Sequence, residues 1–179
     1  MRAAPLTVTA VAAALLLTAC SDGDKDSTAD GSSASPKSGT SCTIDTVDLE
    51  VGPANVAPAA GDTGNIPVTL TNQSAKCTLE GFPTVDLNAS KGSTSVTSDK
   101  AAQPQKLTLA KGDTATFTIT YTRGKAGGAD TFDAQTLNIA LPGDGASKSY
   151  KWTYGPVQGE SGNAEVLEAS VDAFTQAAD

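Results

Sequence analysis

Apolar side chains recur at every second position in stretch after stretch of this chain, the period of a half-buried β-strand. Val47, Leu49 and Val51 alternate with Asp48 and Glu50, and Ile66, Val68 and Leu70 repeat the pattern. A polar turn at Asn72-Gln73-Ser74 precedes a second short run, Cys77 and Leu79, which bends at Gly81 and resumes at Phe82, Val85 and Leu87. The polar residues around Val96 predict a weak edge strand, and Leu107 and Leu109 a short one before the Lys111-Gly112-Asp113 turn. Between Thr114 and Thr122, Ala115, Phe117, Ile119 and Tyr121 share one face and five threonines the other, so one face meets the core and one meets water. Leu137, Ile139 and Leu141 follow. Tyr150, Trp152 and Tyr154 then alternate with Lys151 and Thr153 as the next strand. Gly155 to Gly162 is expected as loop, and Val166 to Phe174 as a closing strand or a short helix. Seven to nine short strands separated by turns predict an all-β, two-sheet antiparallel sandwich of immunoglobulin-like type over residues 42–179.

The first forty residues do not fit that pattern. Leu6 to Ala19 is an apolar run behind Arg2, too short to span a bilayer comfortably, and is expected to be an export signal over residues 1–19. It ends in Leu17-Thr18-Ala19-Cys20, which resembles the bacterial lipobox; the resemblance implies a diacylglyceryl lipid on Cys20 and cleavage before it. Residues 20–41 hold small, polar and acidic side chains without periodicity, and are expected to be a disordered tether. As a flexible coil such a tether has a root-mean-square span of roughly 25 Å and reaches about 70 Å when extended. Asp22, Asp24 and Asp26 have calcium-loop spacing, yet the loop's glycine and final glutamate are replaced by Ser27 and Ser33, which favours a solvated acidic linker. The expected location is therefore the outer face of the cytoplasmic membrane, with the membrane itself as a partner through the lipid.

Composition narrows the chemistry further. The net charge is −8, which disfavours nucleic acid as a partner, because phosphate binding needs a concentrated basic surface. There is no histidine, and the single methionine is Met1. That excludes Ser-His-Asp and Cys-His nucleophiles, His-ligated zinc and His/Met copper. No metal and no cofactor is expected beyond the covalent lipid, and no catalytic residue is assigned. A carboxylate-only glycosidase remains an alternative, with Asp45, Asp48, Glu50 and Asp86 as the available acids. The Gly124-Lys125 pair is not a phosphate loop, since Ile119 stands where a glycine is needed and Ala126 follows the lysine; the glycine-rich segment from Gly124 to Ala129 is expected to be a mobile connector.

Three further features bear on function. Cys42 and Cys77 are the two cysteines of the folded part, an even pair in an exported chain and the expected disulfide. Tyr150, Trp152 and Tyr154 admit two readings. They are either core or, flanked by Lys148 and Lys151, an exposed aromatic face for acidic cell-envelope glycans. Asn72-Gln73-Ser74 and Asn88-Ala89-Ser90 match the N-glycosylation pattern without implying glycosylation, and the Ser/Thr-rich tether is the better candidate for O-linked sugar. The role these features favour is non-catalytic, either binding a cell-envelope glycan or protein, or structural.

Thr71-Asn72, Cys77-Thr78-Leu79, Gly81-Phe82-Pro83 and Leu107-Thr108-Leu109-Ala110-Lys111-Gly112, taken in this order, resemble the DUF4232 family of actinobacterial lipoprotein domains of unknown function. The resemblance runs from about Cys42 onward. It implies a secreted β-sandwich, usually behind a lipobox, with no catalytic residues to carry over. Many members have another cysteine in the second half of the domain, and this chain has none there, so it leaves no second disulfide.

Overall fold

A computed structural model describes residues 40–177. The export signal, Cys20, the acidic triplet and the tether as far as residue 39 lie outside the described residues; Thr40 and Ser41, expected at the end of the tether, instead pair with Thr78, whose amide donates to Thr40 O. After a short 3-10 turn at Ile44–Thr46 the chain forms fifteen strand segments, where alternation anticipates seven to nine. They are β1 (Val47–Val51), β2 (Thr63–Asn72), β3 (Cys77–Leu79), β4 (Thr84–Ala89), β5 (Gly92–Ser95), β6 (Thr97–Ser98), β7 (Leu107–Leu109) and β8 (Thr114–Thr122). The second half holds β9 (Thr131–Phe132), β10 (Thr136–Ala140), β11 (Ser147–Lys151), β12 (Val157–Glu160), β13 (Asn163–Leu167), β14 (Ala169–Val171) and β15 (Thr175–Gln176).

These segments build a sandwich. One sheet has the order β1-β2-β8-β14-β6, with β15 also on β8; the other has the order β11-β10-β4-β5. Two small sheets, β13-β12-β9 and β3-β7, complete it. Every pairing is antiparallel except β14 with β6. The longest pairing, β2 on β8, runs in unbroken register from Thr63 opposite Thr122 to Thr71 opposite Thr114. It places Ile66, Val68 and Leu70 beside Phe117 and Ile119 in one buried cluster, shared with Val85 and Leu87 of β4 and Leu137 and Ile139 of β10. The alternation thus puts apolar faces inward and the threonine face outward.

The strand count rises where the chain changes sheet. Residues 92–98 form one extended stretch that leaves β4 at Ser95 and joins β14 at Thr97, with buried Val96 as the corner between them. The segment from 166 to 174 holds the end of β13 and all of β14, not a helix. Residues 155–162, expected as loop, contain β12. Its Gly159 is there because a Cβ would run into the backbone of Asn163 and Asp130, so this glycine marks a close approach of chains and not a turn.

One polar residue is buried among the described residues: Asn72, with 0% exposure, at the end of β2. Its side-chain amide donates to the carbonyls of Ala75 (3.0 Å), Leu109 (3.0 Å) and Ala110 (3.1 Å), and its Oδ1 accepts from the Ser74 amide (3.0 Å). Its backbone amide donates to Asp113 O, and its carbonyl accepts from Gly112. Asn72 therefore closes the 73–76 loop onto the β7–β8 turn. That loop delivers Cys77 to Cys42, and the disulfide forms with a Cα separation of 5.0 Å. Closing a loop of 35 residues stabilises by roughly 3–4 kcal/mol in the chain-entropy model. The edge strand β1 is protected by side chains from the opposite sheet: Lys148 Nζ donates to Val47 O (2.7 Å) and Tyr150 OH to Leu49 O (3.0 Å). Asp144, in the β10–β11 turn, holds the start of the domain, accepting from the Ile44 amide (2.6 Å) and the Ala146 amide (3.1 Å).

Replacing Asn72 with alanine removes its side-chain donors from the carbonyls of Ala75 and buried Leu109 and leaves Ala110 O with the Asp113 amide alone. Asn72→Ala should therefore cost about 2–4 kcal/mol in urea or thermal unfolding; a loss within the scatter of surface substitutions would refute the role given to this amide. Asp144 is held below the usual carboxylate range, first by the Ile44 amide and then by the Ala146 amide. Its contribution is thus present above the ordinary carboxylate pKa and lost as pH falls through its lower folded value. The difference in urea midpoint between the natural chain and Asp144→Ala should be seen at neutral pH and vanish in strong acid; a difference that grows on acidification would contradict it.

Candidate functional site

The aromatic row comes apart in the structure. β11 ends at Lys151, so Trp152 and Tyr154 lie beyond the strand, and Tyr150 faces inward beside Leu137 of β10. Trp152 is 5% exposed; its ring meets Tyr121 edge-on at 5.3 Å and Tyr154 at 5.0 Å, and its Nε1 donates to Gly155 O (2.6 Å). Tyr121 lies over Gly64, where a Cβ would strike the ring, and its hydroxyl donates to Tyr154 O (2.9 Å). Burial raises the pKa of Tyr121, Tyr150 and Tyr154, with Asp48 adding to the effect at Tyr150. Tyr150 and Tyr154 are half-buried and packed against the core. The glycan-platform reading of Tyr150, Trp152 and Tyr154 gives way to packing against the core: the Tyr150 hydroxyl and the Trp152 indole find backbone acceptors in Leu49 and Gly155, and the Tyr154 ring packs edge-on against Trp152.

The acids singled out from sequence do not converge. Asp48 and Glu50 stand exposed on the outer side of β1, and Asp86 on the outer side of β4 in the opposite sheet, where Ser95 donates to it. The core lies between them. Asp45 is exposed in the 3-10 turn. Asn72 is buried, so the first glycosylation pattern is inaccessible, and Asn88 is half-buried, its amide donating to Thr136 Oγ1. Arg123, immediately ahead of the glycine-rich segment, is held in place: its Nη1 donates to Ala57 O (2.7 Å) and its backbone pairs with Asp62 and Val157.

A cleft of about 820 Å³ opens at the end of the sandwich, where the β4–β5 hairpin, the glycine-rich loop and the β12–β13 hairpin meet. Its walls include Ser90 and Ser93, Gly127 and Gly128, Phe132, and the charged side chains Lys91, Asp133 and Glu165. The three walls are bonded to one another. Thr94 Oγ1 of the first wall donates to Glu165 O of the third (2.7 Å), Gln158 Nε2 of the third to Asp130 Oδ2 of the middle one (2.9 Å), and Thr131 Oγ1 braces the middle wall internally through Gly128 O (2.8 Å). Gly127 holds φ at +69°, which fixes the bend of the middle wall. Its volume lies within the roughly 300–1,000 Å³ usual for small-molecule sites. Among the described residues no group of three His, Cys, Asp or Glu side chains could hold a metal. Asp133 and Glu165 carry no periodic or motif signal. The only sequence trace of the cleft is turn-prone composition at 90–92, 124–130 and 161–163, three segments that nothing in one dimension ties together.

The fold and the cleft define a disulfide-stapled β-sandwich module with a polar recess among the described residues. The chain belongs to the family described as a domain of unknown function, DUF4232, which matches residues 42–175. No curated protein matches it.

Trp152 is the only tryptophan, so its emission reports the aromatic cluster alone. It should be blue-shifted and resistant to iodide and acrylamide in the folded chain; a red-shifted, readily quenched signal would return the row to the surface.

Proposed function

We propose that the chain is an exported, lipid-anchored module on the outer face of the cytoplasmic membrane, with a non-catalytic binding role exercised through the end cleft. The observation that carries the binding role is the cleft itself. Its walls are locked by Thr94, Thr131 and Gln158, so a ligand would meet a formed site and little ordering cost. The anchor rests on Leu17-Thr18-Ala19-Cys20, and the polar segment between Cys20 and Thr40 would give the module reach. The absence of histidine from the chain, and the placement of Asp48 and Glu50 on one outer face with Asp86 on the other, support a role without catalysis. Asp133 and Glu165 line the cleft but stand in water, away from the apolar pocket that a carboxylic general acid requires.

Anchor and cleft separate in one set of experiments on cells producing the full chain. Cys20→Ser should move the protein from the membrane fraction to the soluble exported fraction. A photo-crosslinking amino acid at Ser93 should capture a partner that the same group at Thr118, on the outer threonine face, does not. Retention of the Cys20→Ser chain in the membrane would remove the lipid anchor, and capture at Thr118 alone would move the contact surface to the opposite part of the domain.

A further inference from the structure

A binding role for the end cleft leaves the ligand open, and the cleft wall restricts it; the choice of ligand class rests on that role. Phe132 is the one large apolar side chain on the wall, and it is half-buried, so only part of its ring is left for contact. An acyl chain or the apolar anchors of a peptide would find too little surface to replace water. Anions meet two carboxylates, Asp133 and Glu165, against one cation, Lys91, on a chain of net charge −8. Phosphate, nucleotide and uronic-acid ligands are disfavoured by that balance. What the wall does offer is hydroxyls at Ser90 and Ser93, two exposed carboxylates and bare backbone along Gly127 and Gly128. Carboxylates accept strong, charge-assisted hydrogen bonds from neutral hydroxyls, and backbone without side chains lets a ring approach closely. The ligand that matches is neutral, dense in hydroxyls and apolar on one face.

We propose that the end cleft binds a neutral oligosaccharide, with Asp133 and Glu165 accepting its hydroxyls and the exposed part of Phe132 carrying the apolar face of one ring. This site is unrelated to the row at Tyr150, Trp152 and Tyr154, which belongs to the core. It also has the opposite preference, for neutral sugars over acidic ones.

The test uses the full exported chain carrying Cys20→Ser, presented to an array of neutral and uronic-acid oligosaccharides. The strongest binder is then titrated while backbone amide shifts are followed. The expected result is binding to neutral glycans, shifts confined to Ser93, Gly127, Gly128 and their neighbours, and a loss of affinity of about tenfold or more in Asp133→Asn/Glu165→Gln. Unchanged Trp152 emission in that variant certifies its fold. Binding to uronic-acid glycans alone, shifts mapping elsewhere, undiminished affinity in the double variant, or no glycan bound at all would each overturn the saccharide assignment. If no glycan binds while crosslinking through Ser93 persists in cells, the binding role stands and its ligand is of another class; if both are silent, both fall.

Discussion

A buried amide that satisfies three carbonyls constrains the chain more tightly than any apolar contact, because an apolar side chain can shift while a stranded carbonyl in the interior cannot be tolerated. Asn72 is in that position. Its hydrogen bonds reach Ala75 ahead of Cys77, and Leu109 and Ala110 at the end of β7, while its backbone is bonded to the β7–β8 turn. β3 pairs with β7 at Cys77 opposite Leu109, and Cys77 is covalently joined to Cys42. The register of the small sheet, the entry of β8 and the placement of the disulfide therefore all depend on where one amide sits. An alanine or an aspartate at this position could not supply the donors.

The parts of the fold that are legible in sequence are those where burial on one side and water on the other impose a period of two. β8 can be read from Thr114 to Thr122 because its outer face is threonine throughout, and β1, β2 and β10 follow the same logic. Legibility ends where chemistry departs from that period. β12 is hidden by Gly159, which is a glycine for reasons of close approach and not of turning. The sheet change at Val96 leaves no signal because the residues on both sides of it are polar and exposed. Asn72 resembles a turn residue or a sugar acceptor, since nothing local announces that Leu109 and Ala110 will bring carbonyls to it across 37 and 38 residues. The cleft is hidden for the same reason: its walls are assembled from three hairpin and loop segments distant in sequence.

The division of aromatic residues explains why sequence points to one place and the structure to another. A small domain poor in large apolar side chains, with aromatics at only 4% of the chain, needs nearly all of them inside. Tyr121, Trp152 and Tyr154 stack edge to face, Phe117 and Phe174 pair at 5.4 Å, and Tyr150 closes the edge of β1. Little aromatic surface is then left for recognition, and the accessible chemistry of the domain is carried by hydroxyls, carboxylates and bare backbone.

The disulfide also has a mechanical consequence. Tension on the preceding segment meets the fold first at the hydrogen bonds of Thr40 and Ser41 with Thr78 and then at Cys42, where the covalent bond passes it directly to Cys77. Residues 43–76, including β1 and β2, lie inside the covalent loop and cannot be drawn out in line. With the cysteines 35 positions apart in sequence, about 120 Å of contour length is withheld from extension. The load would instead fall on β3 and its pairing with β7. A chain pulled from this end would resist with a covalent cross-link and the short sheet behind it, while the long β2–β8 ladder remained unloaded until that sheet gave way.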